Sequence, residues 1–159
     1  MTQTAHPHFR PTLAAAVCGI LVAMVSLTGA LAPPGPWYAA LDQPAGTPPD
    51  AAFPIAWTLL YIAMAIAAWR VWRVRGIGLE LGLFVLQLAI NAAWMPVAFG
   101  AQALGWALLV IVALWLTVAA TTAAFWRADR LAGVLFIPYL VWVSYALYLN
   151  IGLVWLNGS

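Results

Sequence analysis

Long apolar runs, separated by short polar or glycine- and proline-containing stretches, dominate the chain. A run of about 20 apolar residues is long enough to cross the hydrocarbon core of a bilayer as a helix. The pattern therefore predicts an all-α membrane protein, a bundle of five transmembrane helices. The predicted spans cover about residues 12–32, 53–73, 79–99, 102–126 and 131–156.

Helix-breaking residues mark the limits of these spans. Pro33-Pro-Gly-Pro36 ends the first span and Gly100 ends the third. Pro54 suits the first turn of the second span, where its missing N–H would have had no helical partner. Pro138 falls inside the fifth span and is expected to interrupt that helix.

The predicted spans form a single membrane domain, residues 12–159, preceded by a polar tail, residues 1–11. The one long connection, residues 33–52, is rich in Pro, Gly and Ala and carries Asp42 and Asp50. A loop of about 20 residues in a compact protein usually has a function. We predict that the 33–52 loop forms a lid over a cavity in the bundle.

Composition agrees with a membrane protein and excludes several classes of function. The chain is 66% hydrophobic and 6% charged, whereas soluble domains carry about 25% charged residues. The formal net charge is only +2, so a nucleic-acid partner is not expected. Cys18 is the one cysteine, which rules out a disulfide within the chain.

The positions of the basic residues test the five-span map. With five spans, the N-terminus and the turns at 74–78 and 127–130 lie on one side of the membrane. Every basic residue lies at that side, and all are arginine: Arg10, Arg70, Arg73, Arg75, Arg127 and Arg130. The positive-inside rule then predicts a cytoplasmic N-terminus, with the 33–52 loop and the C-terminus outside.

The third span carries two contrasting faces. At about 100° per residue, Gln87, Asn91 and Trp94 fall on one side of the helix. Polar side chains inside a span are costly unless they are satisfied, which makes them candidates for function. Small residues fall on the opposite side: Gly78, Gly82, Ala89 and Ala93.

Small residues spaced four apart allow two helices to approach closely. The small face of the third span is therefore predicted to form a homodimer interface. The alternative is tight packing of this face against another helix of the same chain.

Two other spans present aromatic and polar side chains at helical spacing. Trp57 and Tyr61 share a face of the second span, and Tyr139, Trp142, Ala146 and Asn150 share a face of the fifth. Aromatic walls with few polar groups suit a flat, largely apolar ligand. The alternative for each residue is packing, or a hydrogen bond between helices.

Ion conduction and proton-coupled transport are not favoured, because no charged side chain lies deep in a predicted span. The sequence also lacks a Ser/His/Asp set, paired carboxylates, a cysteine cluster and a phosphate-binding loop. No metal site and no required cofactor are predicted.

Five motifs together resemble the translocator protein family, also called tryptophan-rich sensory proteins or peripheral-type benzodiazepine receptors. They occur in the family's order and span nearly the whole chain. The motifs are Trp37-Tyr-x-x-Leu-x-x-Pro44, Pro48-Pro49, Phe53-Pro-Ile-Ala-Trp57-Thr-x-x-Tyr61, Gln87-Leu-x-x-Asn91-x-x-Trp94-x-Pro96-x-x-Phe99-Gly100 and Pro138-Tyr139-Leu-x-Trp142-x-x-Tyr-Ala146-x-x-Leu149-Asn150.

The resemblance implies a five-helix bundle, usually dimeric, with a pocket closed by the loop between the first two helices. Members of the family bind porphyrins, including protoporphyrin IX and haem, and benzodiazepine- and isoquinoline-type drugs; animal members bind cholesterol. Some bacterial members are reported to promote light- and oxygen-dependent porphyrin breakdown.

This chain is accordingly expected to be a bacterial-type, multi-pass cell-membrane receptor or sensor that binds porphyrin or haem and takes part in porphyrin handling or transport. One alternative is an enzyme that degrades porphyrin in the light. Another is a diverged member that binds a different apolar ligand. The expected partners are the ligand, membrane lipid and a second copy of the chain.

Residue by residue, the tryptophans tied to porphyrin chemistry in the family correspond to Trp57 and Trp142, which would be catalytic if breakdown occurs. The expected ligand-binding set combines the family's pocket positions with the inward-facing residues. It comprises Phe53, Trp57, Tyr61, Gln87, Asn91, Trp94, Trp106, Tyr139, Trp142, Ala146, Leu149 and Asn150.

Two departures from the family pattern bear on the ligand. The family commonly reads Pro-x-Trp-x-Pro-Pro-Arg-Trp in the loop, whereas this chain reads Pro44-Ala-Gly-Thr-Pro-Pro-Asp50-Ala51. Both loop tryptophans are absent and an acid replaces the arginine, so a porphyrin propionate would meet Asp50. The basic residue of the animal cholesterol motif is also missing, and a sterol role is not supported.

Overall fold

The computed structural model describes residues 11–31 and 33–158, with the backbone alone at residues 11 and 28–31. The predicted tail, residues 1–11, lies outside the described residues except for Pro11, which begins the first helix.

The described chain is helical apart from its connections, without a β-strand in residues 11–31 or 33–158, which confirms the all-α class. A short loop helix follows the first long helix, and a π-helical turn, Pro96–Gly100, follows the third. The α-helices are α1 (Pro11–Leu31), α2 (Pro36–Ala39), α3 (Ala52–Arg75), α4 (Leu79–Met95), α5 (Leu104–Ala128) and α6 (Arg130–Asn157).

Four of the helical segments are long and apolar enough to cross a membrane. They are Ala52–Arg75, Leu79–Gly100, Leu104–Ala128 and Arg130–Asn157. The described apolar part of α1, Thr12–Leu27, is shorter. These segments fit an integral membrane protein, and a fifth span through α1 stays a prediction.

The helix bounds differ from prediction where local backbone geometry decides them. The second predicted helix extends two residues further, to Arg75, and ends where Gly76 takes φ +73° and donates its N–H to the Trp72 carbonyl at 2.8 Å. A positive φ is accessible to glycine without strain. The third span ends in the π-helical turn, in which Ala101 N–H donates to the Pro96 carbonyl at 2.8 Å.

Pro138 does not interrupt α6, which is a correction to the prediction. The helix continues from Arg130 to Asn157 with Pro138 inside it. Proline removes one helical hydrogen bond, but neighbouring helices can support a membrane helix across such a gap. Here α6 packs along both α3 and α5.

The five long helices close into a ring in the order α1, α3, α6, α5, α4 and back to α1. Helix α3 also contacts α4 and α5 across the ring. The largest completely enclosed side chains include Met64, Phe84, Gln87, Phe136 and Tyr139. Large apolar side chains such as Ile55, Leu59 and Leu109 instead cover the outside, as expected for a surface that faces lipid.

The antiparallel course of the helices gives the bundle two distinct ends. The arginine end carries the α3–α4 and α5–α6 connections and all the arginines that the structure describes: Arg70, Arg73, Arg75, Arg127 and Arg130. The loop end carries the 33–52 loop, the π-helical turn and the last turn of α6. At the arginine end, Arg70 pairs with Asp129, with Nη2 and Oδ2 2.8 Å apart.

Candidate functional site

The polar residues of the third predicted span form a hydrogen-bonded network in the centre of the bundle. Asn91 Nδ2 donates to the Tyr139 hydroxyl at 2.9 Å, and this hydroxyl donates to Gln87 Oε1 at 3.0 Å. All three side chains are buried. The network links α4 to α6: Gln87 and Asn91 lie on one face of α4, as predicted, and Tyr139 of α6 bonds to both of their side chains.

Two buried donors near this network have no partner in the described structure. They are Gln87 Nε2 and Trp94 Nε1. Leaving a buried N–H unpaired costs about 1–3 kcal/mol, and the cost is relieved when an acceptor enters. These donors are therefore the chemical feature of the bundle that most clearly favours a polar atom from a bound molecule.

Aromatic rings from α3 and α6 meet at the loop-end half of the bundle and form what we call the aromatic cluster: Phe53, Trp57, Tyr61, Tyr139 and Trp142. The Trp57 ring lies 5.1 Å from Tyr61, 6.1 Å from Tyr139 and 6.4 Å from Trp142, centroid to centroid. Phe53 meets Trp142 edge-on at 6.0 Å. The cluster brings together five of the predicted ligand-binding residues.

A groove of about 370 Å³ runs between α3 and α6 beside the aromatic cluster. This volume is at the lower end for small-molecule sites. Trp142 belongs to both the aromatic cluster and the groove, since it contacts Trp57 and also lines the groove. The other lining residues, which the sequence did not single out for this purpose, are Ala56, Leu59, Leu60, Pro138, Val141 and Tyr145. These lining residues are apolar or aromatic and recur at helical spacing. A helix face that only packs against its neighbours has the same pattern, so the sequence could not distinguish the two.

A second run of aromatic rings connects the 33–52 loop to Trp94. Tyr38 of α2 meets Phe99 edge-on at 5.0 Å, and Phe99 meets Trp94 edge-on at 5.4 Å. Partial burial and the negative charge of Asp50 raise the pKa of the Tyr38 hydroxyl above its usual value. Asp50 therefore acts electrostatically on Tyr38, the loop residue in this run of rings.

The 33–52 loop is fastened to α6 mainly through its own backbone. The hydroxyls of Tyr145 and Tyr148 donate to the carbonyls of Gly46 and Ala45. Asn157 accepts from the Asp42 N–H at 2.9 Å and donates to the Asp42 carbonyl at 3.0 Å.

A proline of the loop also packs directly against α6. Pro44 is buried over Gly152, where an added Cβ would lie 2.6 Å from the proline ring. The loop thus covers the last turns of α6 at the loop end. Tyr148 and Asn157 were not among the predicted site residues, because a side chain that binds a backbone carbonyl leaves no motif in the sequence.

Some of the predicted ligand-binding residues lie apart from the aromatic cluster. Trp106 is 69% exposed on the outside of α5. Asn150 is buried and donates to the Ala146 carbonyl in its own helix at 2.9 Å. Leu149 is buried, and Ala146 packs against the hydrophobic core.

The small face of α4 is exposed in this single chain. Gly82, Ala89 and Ala93 are exposed, and a Cβ added to Gly82 would meet no atom within 4 Å. Gly78 is also exposed and precedes the first residue of the helix. Packing of this face against another helix of the same chain is therefore not observed among the described residues, and the dimer stays a prediction.

The site has the chemistry of binding and stacking rather than of proton transfer. Within residues 11–31 and 33–158, the buried polar side chains are uncharged: Gln87, Asn91, Thr121, Thr122 and Asn150. In the same part of the chain, no group of three His, Cys, Asp or Glu residues could hold a metal ion.

Apolar helices long enough to span a bilayer, arranged around an uncharged aromatic cluster, define a polytopic α-helical membrane protein. The chain belongs to the TspO/MBR family, whose pattern it matches over residues 12–156.

Its relatives cover most of the chain. It is 47% identical to the tryptophan-rich sensory protein of Cereibacter sphaeroides over 82% of each chain. It is 41% identical to the protein CrtK of Rhodobacter capsulatus over 89% of this chain and 91% of that one. It is also 40% identical to the human translocator protein over 72% of this chain and 70% of that one.

Proposed function

We propose that this chain is an integral membrane receptor or sensor that binds a tetrapyrrole, porphyrin or haem, and takes part in its handling or transport. The observation that carries the proposal is the aromatic cluster beside the groove between α3 and α6. Trp57 and Trp142 meet there at 6.4 Å, and Trp142 also lines the groove. A flat conjugated ring gains both apolar burial and ring stacking at such a surface.

The proposed site combines this surface with the unpaired donors of α4. Gln87 Nε2 and Trp94 Nε1 lack acceptors, and a ligand that brings an oxygen or nitrogen acceptor would relieve their unfavourable burial. The groove opens on the outer face of the bundle, where Leu59 is 63% exposed, and the 33–52 loop is the proposed lid over the bundle at the loop end. Asn91 and Tyr139 position Gln87 through the central network.

The proposed membrane arrangement has α1 as a fifth span, the arginine end in the cytoplasm, and the loop end outside. The arginines at one end of the bundle support this orientation. A homodimer through the exposed small face of α4 is part of the proposal, because small residues permit close helix contact. The membrane is proposed to be a bacterial cell membrane, in keeping with the Cereibacter sphaeroides relative.

Titration with protoporphyrin IX, followed by tryptophan quenching, tests the binding proposal. The double variant Trp57→Phe, Trp142→Phe should weaken saturable binding at least about tenfold, since base–aromatic stacking of similar rings contributes about 1–3 kcal/mol per contact. The matched control is Trp106→Phe, Trp155→Phe, because both rings are exposed, by 69% and 83%. Quenching that is unsaturable, or equal in the two double variants, would exclude the aromatic cluster as the binding site.

The contact between Trp57 and Trp142 also favours a second candidate, light-dependent porphyrin breakdown with dioxygen as the oxidant. Adjacent indole rings at 6.4 Å can share an oxidising equivalent generated by an excited porphyrin. This candidate requires a new absorbing product in light and oxygen, which disappears in the Trp57→Phe, Trp142→Phe variant. Saturable binding without that product would leave the receptor as the function.

A further inference from the structure

The loop end of the bundle carries negative charge and no described positive charge. Asp42 and Asp50 are exposed on the 33–52 loop. The arginines that the structure describes all lie at the arginine end, between 70 and 75 or between 127 and 130, and the sequence contains no lysine. A ligand that approaches the groove from the loop side therefore meets carboxylates before it meets any described cation.

The interior of the proposed site is equally without a cation. The groove is lined by apolar and aromatic residues, and the two unpaired buried donors of the bundle, Gln87 Nε2 and Trp94 Nε1, are neutral. An ionised carboxylate is very costly to bury unless a cation or several hydrogen bonds compensate it. A neutral carbonyl needs only one or two N–H donors, which is what the two residues offer.

The charge of Asp50 acts at the loop side of the run of aromatic rings that leads to Trp94. It acts on Tyr38, whose ring covers Phe99, and Phe99 in turn covers Trp94 at 5.4 Å. The residue that carries one of the two unpaired donors thus lies in the same run of rings as Tyr38, on which Asp50 acts. An anionic group placed at Trp94 would be repelled by Asp50.

We propose that the site selects tetrapyrroles whose side-chain acids are neutral, as esters or amides, over tetrapyrroles that carry free carboxylates. The selection comes from the acidic, cation-free loop end together with the two neutral buried donors. This inference rests on the proposed tetrapyrrole-binding function and specifies its ligand class. It identifies Asp50 as a specificity-determining residue that acts through charge.

The test compares protoporphyrin IX with its dimethyl ester on the purified full-length chain in lipid nanodiscs of uncharged phospholipid at pH 7.5. The two probes have the same ring and differ in their two carboxylates. Saturable tryptophan quenching should give an affinity for the ester at least about tenfold higher, since two ionised groups lose their hydration without gaining a cation. Nonspecific partition of the ester is measured in the Trp57→Phe, Trp142→Phe variant and subtracted.

A charge reversal then separates electrostatic selection from hydrophobicity. Asp50→Arg should strengthen binding of the free acid by about threefold to tenfold at low salt, and the gain should shrink as salt screens it. Binding of the ester should stay unchanged. The matched control is Glu80→Arg, which makes the same charge change in the first turn of α4 at the arginine end and should alter neither affinity.

The outcomes are distinguishable. Equal or tighter binding of the free acid, or an Asp50→Arg variant that binds both probes as the parent chain does, overturns the inference while the tetrapyrrole-binding function stands. Failure of both probes to bind saturably overturns the proposed function and the inference with it.

Discussion

The arginine end and the loop end of the bundle are built from similar residues but differ in how completely they are packed and satisfied. At the arginine end, Phe84, Phe125 and Phe136 are almost fully buried against one another, with ring centroids 4.9–6.2 Å apart. At the loop end, Trp57 and Trp142 also touch, yet both remain partly exposed. A groove lies beside them, and Trp94 carries an unpaired N–H.

The same contrast appears in the connections. The α5–α6 connection is a single residue, Asp129, which caps α6 by accepting from Ala132 N–H at 2.9 Å and pairs with Arg70. The 33–52 loop has about twenty residues and is attached by side chain–backbone hydrogen bonds, the contact of Pro44 with Gly152 and the ring contact of Tyr38 with Phe99. The comparison indicates that the arginine end maintains the fold while the loop end retains room for a ligand and for movement.

The largest expected effect is the loss of a phenylalanine ring at the arginine end. Phe136→Ala should lower the free energy of unfolding by about 3–5 kcal/mol, because it removes a fully buried ring and leaves a cavity. Trp142→Ala should cost clearly less, since that ring already borders a groove. Unfolding by denaturing detergent measures both, with Ile137→Ala, 41% exposed, as the control. Equal costs for Phe136 and Trp142 would remove the proposed difference between the ends.

Three glycine-to-alanine changes sharpen the comparison. Gly133→Ala at the arginine end places a Cβ 2.7 Å from the Cα of Trp126, so two helices must separate, at a cost of about 1–3 kcal/mol. Gly152→Ala places a Cβ 2.6 Å from the Pro44 ring, and the loop can shift instead. Gly82→Ala meets nothing within 4 Å and is the control.

Thermal unfolding and limited proteolysis of the loop separate these cases. Gly133→Ala should lower the melting temperature with the loop still protected, whereas Gly152→Ala should expose the loop with little change in melting temperature. A Gly152→Ala variant as unstable as Gly133→Ala would show that the loop is as integral to the fold as the helices are.

Asp129 contributes a smaller, pH-dependent part of the stability. Arg70 and the α6 backbone N–H groups lower the pKa of its carboxyl below the ordinary value of 3.8. A lowered pKa in the folded state means that the stabilisation is complete above about pH 5 and is lost as the pH falls through the lowered pKa. Melting temperature measured from pH 7 to pH 3 should show this decline.

Two substitutions separate the roles of Asp129. Asp129→Ala removes both the N-cap of α6 and the ion pair with Arg70, and should lower the free energy of unfolding by about 1–2 kcal/mol. Asp129→Asn keeps a good N-cap and should lower it by about half as much. Both variants should lose the part of the acid-induced decline that is due to Asp129. An unchanged decline in Asp129→Asn would assign it to other groups.

The smallest effect on stability is expected where the loop is fastened. Asn157→Ala and the pair Tyr145→Phe, Tyr148→Phe should change the free energy of unfolding by less than about 1.5 kcal/mol. Hydrogen exchange at the Asp42 amide should nevertheless accelerate in Asn157→Ala, since Asn157 is its acceptor. Thr117→Val, whose hydroxyl bonds only within its own helix, is the control and should leave exchange in the loop unchanged.

Much of the fold could be predicted because it depends on local pattern. Apolar runs and helix breakers located the ends of the long helices to within about two residues, except that α4 ends at Met95, where the π-helical turn begins, and not at the predicted residue 99. The structure differs from prediction where the backbone conformation depends on contacts between helices. The π-helical turn after Met95 and the uninterrupted helix at Pro138 depend on packing against neighbouring helices, which the sequence of one segment does not contain.

The candidate site was predicted in part. Helical spacing brought Gln87 and Asn91 to one face and Tyr139 and Trp142 to another, and these faces do meet. The spacing did not show that the Tyr139 hydroxyl lies between the two amides. It also did not show that Trp106 is on the outside, since an indole ring suits either a core or a lipid-facing surface.

The hydrogen bonds that hold the loop to α6 involve the loop backbone, and this affects how the protein can evolve. Tyr145, Tyr148 and Asn157 recognise carbonyl and amide groups that every amino acid carries. Substitutions in the loop, apart from Pro44, therefore leave these bonds available. New side chains can accumulate at the loop end while the loop keeps its position, so ligand preference can diverge between lineages without a change of scaffold.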